Sequence, residues 1–128
     1  MTNFTERTSY VNIDDALKRF MGNKKLYKKL LTSFSSDTNF GKLKTELDAA
    51  AYADAAASAH AIKGVCGNLS LAAMYEKSKD LEALLKDLAA NNPGADPVSS
   101  GATSLYDAYE QARLISMIHI EQVINEIE

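Results

Sequence analysis

One histidine in this chain stands among unusually small neighbours. In the stretch Ala59-His60-Ala61-Ile62-Lys63-Gly64-Val65-Cys66-Gly67-Asn68-Leu69, an imidazole, an ammonium and two glycines share one side of a segment that otherwise reads as helix. At 100° per residue, Lys63 lies about 60° from His60, Gly64 about 40° and Gly67 about 20°. Ala53, Ala56 and Ala57 fall in the same sector, and Asn68 lies about 80° away. Ala55, Ala59, Ile62, Cys66 and Leu69 turn the other way, at the i, i+3, i+4, i+7 spacing of a core stripe. The imidazole is therefore expected on the outward face, where it can act as a nucleophile: a free imidazole titrates near about 6.5. A glycine inside a helix costs about 1 kcal/mol against alanine. Two of them beside an exposed nucleophile imply that another molecule comes very close. Asn68 is placed either to hold a neighbouring loop or to touch that molecule.

The other candidates for chemistry read as structural. His119 falls on an apolar stripe with Ala112 and Val123, and Cys66 on the inward stripe, so both are expected in the core. No His, Cys or carboxylate cluster has metal-ligand spacing. There is no Gly-x-x-x-x-Gly-Lys-Ser/Thr motif or other glycine-rich phosphate loop. Lys24-Lys25, Lys28-Lys29 and the run Glu76-Lys77-Ser78-Lys79-Asp80 read as solvated faces, the first two with a possible part in docking.

The elements that must hold His60 are helical. Residues 1–10 read as a loose tail, and residues 11–128 as one domain. Asn12 is a plausible cap for a short helix from Ile13 to Met21, which Gly22 ends. Asn23 caps a longer helix carrying Leu26, Leu30, Phe34, Phe40, Leu43 and Leu47, interrupted in composition by Ser35-Ser36 and Gly41. Asp54 is expected to cap the histidine helix, which ends near Leu69. A helix from about Leu71 to Ala90 carries Met74, Ser78, Leu81, Leu85 and Leu88 at the spacing of bundle packing. Asn91 to Ala102, with both prolines, is the one clear loop. The last helix runs from about Thr103 to Glu126, with Leu105, Tyr109, Ala112, Val123 and Ile127 on one stripe. No segment alternates with period two. The expected fold is all-α: an up-and-down four-helix bundle with a short additional N-terminal helix.

These residues resemble the histidine-containing phosphotransfer (HPt) family, whose signature is His-x-Leu/Ile-Lys-Gly-x-x-x-x-Leu followed by a small residue. Here it reads His60-Ala61-Ile62-Lys63-Gly64, then Leu69 and Ser70. The likeness extends upstream through Ile13 to Phe34, including Gly22, Leu26-Tyr27, Leu30 and Leu31, and downstream to Leu81-Glu82. It covers roughly Val11 to Leu88. Ser70 stands where the family most often has glycine, and a serine there can cap the next helix.

The resemblance implies the same bundle fold and a phosphocarrier, not an enzyme. His60 would be the phosphoacceptor, and Lys63 would stabilise the charge of the phosphoryl group. Ala56, Ala57, Gly64, Gly67 and Asn68 would meet the partner. That partner would be a response-regulator receiver domain, a hybrid histidine kinase, or both, in a two-component phosphorelay. No cofactor is expected on this chain, because the metal ion and the phosphoaspartate belong to the receiver. Two alternatives remain open: a substrate domain of a chemotaxis-type histidine kinase, and a receiver-binding module that carries no phosphate.

Composition narrows the setting. Of 128 residues, 46% are hydrophobic, yet no apolar run approaches the about 18 residues of a membrane span. The polar first ten residues lack the apolar centre of a signal peptide. One cysteine cannot form an internal disulfide, which suits a reducing cytoplasm. A net charge of −3 gives no case for nucleic acid. The expectation is a free-standing cytoplasmic monomer without a membrane or nucleic-acid partner.

Overall fold

The computed structural model describes residues 4–127. Seven helices account for its regular structure: α1 Phe4–Tyr10, α2 Ile13–Arg19, α3 Lys24–Ser35, α4 Asn39–Asp48, α5 Tyr52–Asn68, α6 Ala72–Asn91 and α7 Ala102–Glu126. Among the described residues there is no strand. The helices α4 to α7 form the up-and-down bundle, each packed on its neighbour in the chain. Between α7 and α4, the Arg113 guanidinium lies 5.2 Å from the Phe40 ring centroid and Lys44 Nζ 5.7 Å from that of Tyr106. Leu43, Ile62, Met74, Leu81, Leu85, Tyr109 and Ile120 fill the centre, all buried. Each such side chain contributes about 1.5–3 kcal/mol by leaving water.

Local chemistry fixes the shorter elements. Asn12 Oδ1 accepts from Asp15 N at 3.1 Å and Asn23 Oδ1 from Leu26 N at 3.0 Å, so both expected caps are present. Gly22, at φ +79°, terminates α2 as expected, although the helix proper ends at Arg19.

The expected long second helix is two helices. Ser35 Oγ bonds back to Leu31 O at 3.1 Å, and Asp37 Oδ1 accepts from Asn39 N at 2.8 Å. These side-chain bonds compete with the helical ladder and start a new turn, so α3 stops at Ser35 and α4 begins at Asn39. The N-terminal segment departs further from expectation. Phe4–Tyr10, read as part of a tail, is a helix packed on α6 and α7. The Tyr10 ring stacks on His119 with centroids 5.2 Å apart, and Arg7 Nη1 lies 2.6 Å from Glu126 Oε2. Both contacts come from residues far away in the chain, which a local reading cannot register. Met1 to Asn3 lie outside the described residues.

Two expected caps around the histidine helix are also replaced. Ala51, with no side-chain bond, is the N-cap of α5, and Asp54 sits within its first turn, where a carboxylate complements the helix dipole. Leu71, not Ser70, is the N-cap of α6. Ser70 adopts φ +58°, a left-handed conformation that glycine takes without steric cost. Its hydroxyl donates to Asp15 Oδ2 at 2.5 Å and its carbonyl accepts from Asn12 N at 3.0 Å. The α5–α6 corner is thereby tied to the start of α2. Close by, the buried Tyr27 hydroxyl donates to Leu69 O at 2.9 Å and ties α3 to the same corner.

The 92–101 connection is ordered by its own polar groups. Asp96 Oδ2 accepts from Val98 N and Ser99 N at 3.0 Å each, and the Tyr52 hydroxyl donates to Ala95 O.

Candidate functional site

The inward stripe of α5 is Ala55, Ala59, Ile62 and Cys66, all buried, so the opposite face is fixed toward solvent. His60 stands on that face with its side chain 66% exposed. Ala53, Ala57, Ala61, Gly64 and Asn68 are exposed around it. Ala56 is not: it is buried and belongs to the core cluster. It is removed from the expected contact face.

The two glycines differ. A Cβ built on Gly64 would meet nothing within 4 Å, so this position is open beside the imidazole. A Cβ on Gly67 would lie 3.4 Å from the Tyr75 ring. Gly67, half-buried, is where Tyr75 of α6 packs, and its expected role as clearance for another molecule is shared with helix packing.

The centre of the site is a carboxylate contributed by α6. Glu82 follows Leu81 on the inward stripe and is 2% exposed. Its Oε2 is 2.9 Å from His60 Nδ1 and 2.7 Å from Lys86 Nζ, and its Oε1 is 2.7 Å from Lys63 Nζ. Burial works to raise the carboxyl pKa, but the contacts from Lys63, Lys86 and His60 outweigh it and hold the pKa down at about 2. The same Glu82 contact raises Lys63 above the usual ammonium value, against a smaller opposing effect of desolvation. An ionised carboxylate can only accept, so the hydrogen between it and the imidazole belongs to Nδ1. Neutral His60 then keeps its lone pair on Nε2, on an exposed side chain.

Neither Glu82 nor Lys86 was picked out from sequence as a site residue. The usable signal was a glutamate at an inward position: Ser78, Leu81, Glu82 and Leu85 follow the i, i+3, i+4, i+7 pattern, and a lone carboxylate on a core stripe requires a partner. The two residues expected to be structural are so. His119 is 2% exposed and Cys66 is fully buried, where burial pushes the thiol up to about 12. No group of three or more His, Cys, Asp or Glu side chains suited to a metal ion occurs among the described residues.

Next to this face lies an apolar groove between α3 and the end of α5, about 720 Å³, lined by Phe20, Leu30, Phe34, Val65, Asn68 and Leu69 among others. Asn68 also borders a more polar hollow of about 450 Å³ shared with Asn12, Asp15, Ser70 and Tyr75.

An exposed histidine on a bundle helix, backed by a lysine three residues on and a glycine beside it, is the arrangement the motif predicts. The family model of the Hpt domain matches residues 31–126, from the middle of α3 to the end of α7. The chain belongs to the Hpt domain family. Comparison with curated proteins and with solved structures gives no match.

Proposed function

We propose that this protein is a phosphocarrier of a two-component phosphorelay, in which His60 takes a phosphoryl group from a receiver-domain phosphoaspartate and hands it to another receiver. The reading rests on one observation above all: an exposed imidazole whose Nδ1 is held by a buried, ionised carboxylate while two lysines flank that carboxylate. In the forward step the Nε2 lone pair attacks phosphorus in line. The bond between phosphorus and the aspartyl oxygen breaks, and the aspartate leaves as a carboxylate. The phosphorylated ring carries a positive charge and keeps its Nδ1 hydrogen, which Glu82 continues to accept. Lys63 and Lys86 can swing from the carboxylate toward the phosphoryl oxygens, since an ammonium has no fixed angular demand. Transfer to the second receiver is the same step reversed.

The exposed Ala57 and Gly64 leave room for the donor to come within about 3–3.5 Å of the nitrogen. The metal ion belongs to the receiver and the chain itself needs no cofactor. The carrier works as a monomer in the cytoplasm, a setting supported by its single buried thiol and by the lack, among the described residues, of a helix long and apolar enough to cross a membrane.

The test is to incubate the wild type, His60→Gln and His119→Gln with a panel of phosphorylated receivers. Label is expected on the wild type and on His119→Gln, in an acid-labile and base-stable form. Labelling of His60→Gln would refute the assignment.

A further inference from the structure

The charge of this chain is strongly uneven. Between Asp15 and Asp37 lie Lys18, Arg19, Lys24, Lys25, Lys28 and Lys29, six of the 14 basic residues and none of the 17 acidic ones. The remainder holds eight basic and 17 acidic residues, a balance of −9. The four lysines of α3 are exposed, and among the described residues none of them forms an ion pair.

Their placement relates them to the histidine face. α3 turns Tyr27, Leu31 and Phe34 inward. Leu30 and Ser33 line the apolar groove that ends on Asn68 and Val65 of α5. Lys25, Lys29 and Ser33 recur every four residues, so they form one stripe that drifts by about 40° per step and finishes at the groove. Lys28 continues the positive surface on the flank away from the groove, and Lys24 borders a separate hollow with Leu17, Val123 and Glu126. On the far side of the groove Lys63 and Lys86 stand beside His60. A molecule covering His60, Gly64 and the groove would have Lys25 and Lys29 nearest its edge, with Lys24 and Lys28 farther out.

We infer that the α3 lysine surface is an electrostatic guide for the partner that docks over His60, and that this partner is a protein with an acidic docking face. The inference rests on the phosphocarrier reading, because that reaction brings a phosphoryl group and its aspartate opposite His60, groups that an acidic docking face would surround. The remainder of the chain, at a balance of −9, offers such a face no comparable run of unopposed positive charge. Charges at a rim act over about 10 Å at 0.1 M salt, and they change association rates more than the stability of the docked state.

The experiment uses the receivers that label the wild-type protein and follows transfer by rapid quench over a range of receiver concentrations. It compares the wild type with a variant carrying Lys24→Gln, Lys25→Gln, Lys28→Gln and Lys29→Gln, and with the fourfold Lys→Arg variant. In the glutamine variant the second-order rate should fall about tenfold or more at low salt and lose most of its dependence on ionic strength. The first-order transfer rate at saturating receiver should stay at the wild-type value, and the arginine variant should behave as wild type. An unchanged second-order rate with the same salt dependence overturns the guide and leaves the phosphocarrier standing. So does a glutamine variant that transfers normally but loses wild-type binding to vesicles of equal parts phosphatidylglycerol and phosphatidylcholine, or to duplex DNA. A wild-type protein that no receiver labels or binds removes the phosphocarrier reading, and the guide with it.

Discussion

His60 and Glu82, on the antiparallel helices α5 and α6, are joined by a 2.9 Å contact between Nδ1 and Oε2, and the two ends of that contact differ completely in exposure. The carboxylate end is buried and the imidazole end faces water. Replacing Glu82 therefore acts, through the ring, on the nitrogen at its exposed side. Glu82→Ala should abolish the preference for the Nδ1–H tautomer, read as a mixture of tautomers in the ¹⁵N spectrum of labelled histidine. Loss of a hydrogen bond to a charged group, about 1.5–3 kcal/mol, should slow phosphotransfer about tenfold or more. Wild-type transfer with the tautomer lost would show that Glu82 only supports the fold.

The same carboxylate makes stability depend on acid. Its pKa is about 2 in the folded protein against an ordinary 4.5, so the unfolded chain binds this proton first. The contribution is fully present above about pH 4.5 and disappears as the pH falls through about 2. Chemical denaturation at a series of pH values should show the wild type losing stability across that window more steeply than Glu82→Gln. Parallel curves for the two proteins would contradict the assignment.

Lys63 lies one turn from His60, where the family resemblance gives it the charge of a phosphoryl group to stabilise. The structure ties it to a buried charge, with its own side chain only 24% exposed, against 64% for Lys86. Lys63→Ala is expected both to lower the melting temperature and to slow transfer about tenfold. Lys86→Ala should have the same direction with a smaller thermal effect. Identical melting curves for Lys63→Ala and the wild type would show that its contact with Glu82 does not support the fold.

Gly64 separates helix stability from partner access. With nothing within 4 Å of its would-be Cβ, Gly64→Ala should raise stability by about 0.5–1 kcal/mol through helix propensity. Gly64→Gln should also fold, yet its side chain would stand beside the imidazole and slow transfer from a receiver. A melting curve and a transfer time course on one preparation decide this. Normal transfer by Gly64→Gln would remove the clearance argument.

Tyr27→Phe tests the corner where α3 meets the end of α5. The hydroxyl is buried and its one hydrogen bond goes to Leu69 O, so its removal leaves a buried carbonyl short of a donor. A loss of about 1–3 kcal/mol is expected in urea unfolding. The transfer rate should change little, because His60 lies more than two turns away along α5.

The bundle and the histidine face were legible in sequence because both are periodic and local. The stripe Ala55-Ala59-Ile62-Cys66 needs nothing beyond α5 to show which way His60 points, and Asn12 and Asn23 cap helices three residues away. What stayed hidden was set by distant partners. Glu82 acquires its role only when α6 folds back along α5, and α1 is ordered by His119 and Glu126 at the other end of the chain. Ala56 was misplaced by a smaller effect. It sits within about 40° of His60 on the helix wheel, but the packing of the neighbouring helices covers that flank. Ser70 was read for what its hydroxyl could cap, whereas its backbone angle decides its place and leaves the hydroxyl to Asp15.

The ion pair between Arg7 and Glu126 spans nearly the whole polypeptide, 119 positions, so both extremities of the described chain meet at one pole of the bundle. Such closeness makes the order of the helices negotiable. A few flexible residues would suffice to splice the end of α7 to the start of α1, and new termini could be opened in the exposed 92–101 connection. In that circular permutant α7 would come first and α6 last. The contact with the longest loop to close would become one of the shortest, while α5 and the helix facing it would stay uninterrupted.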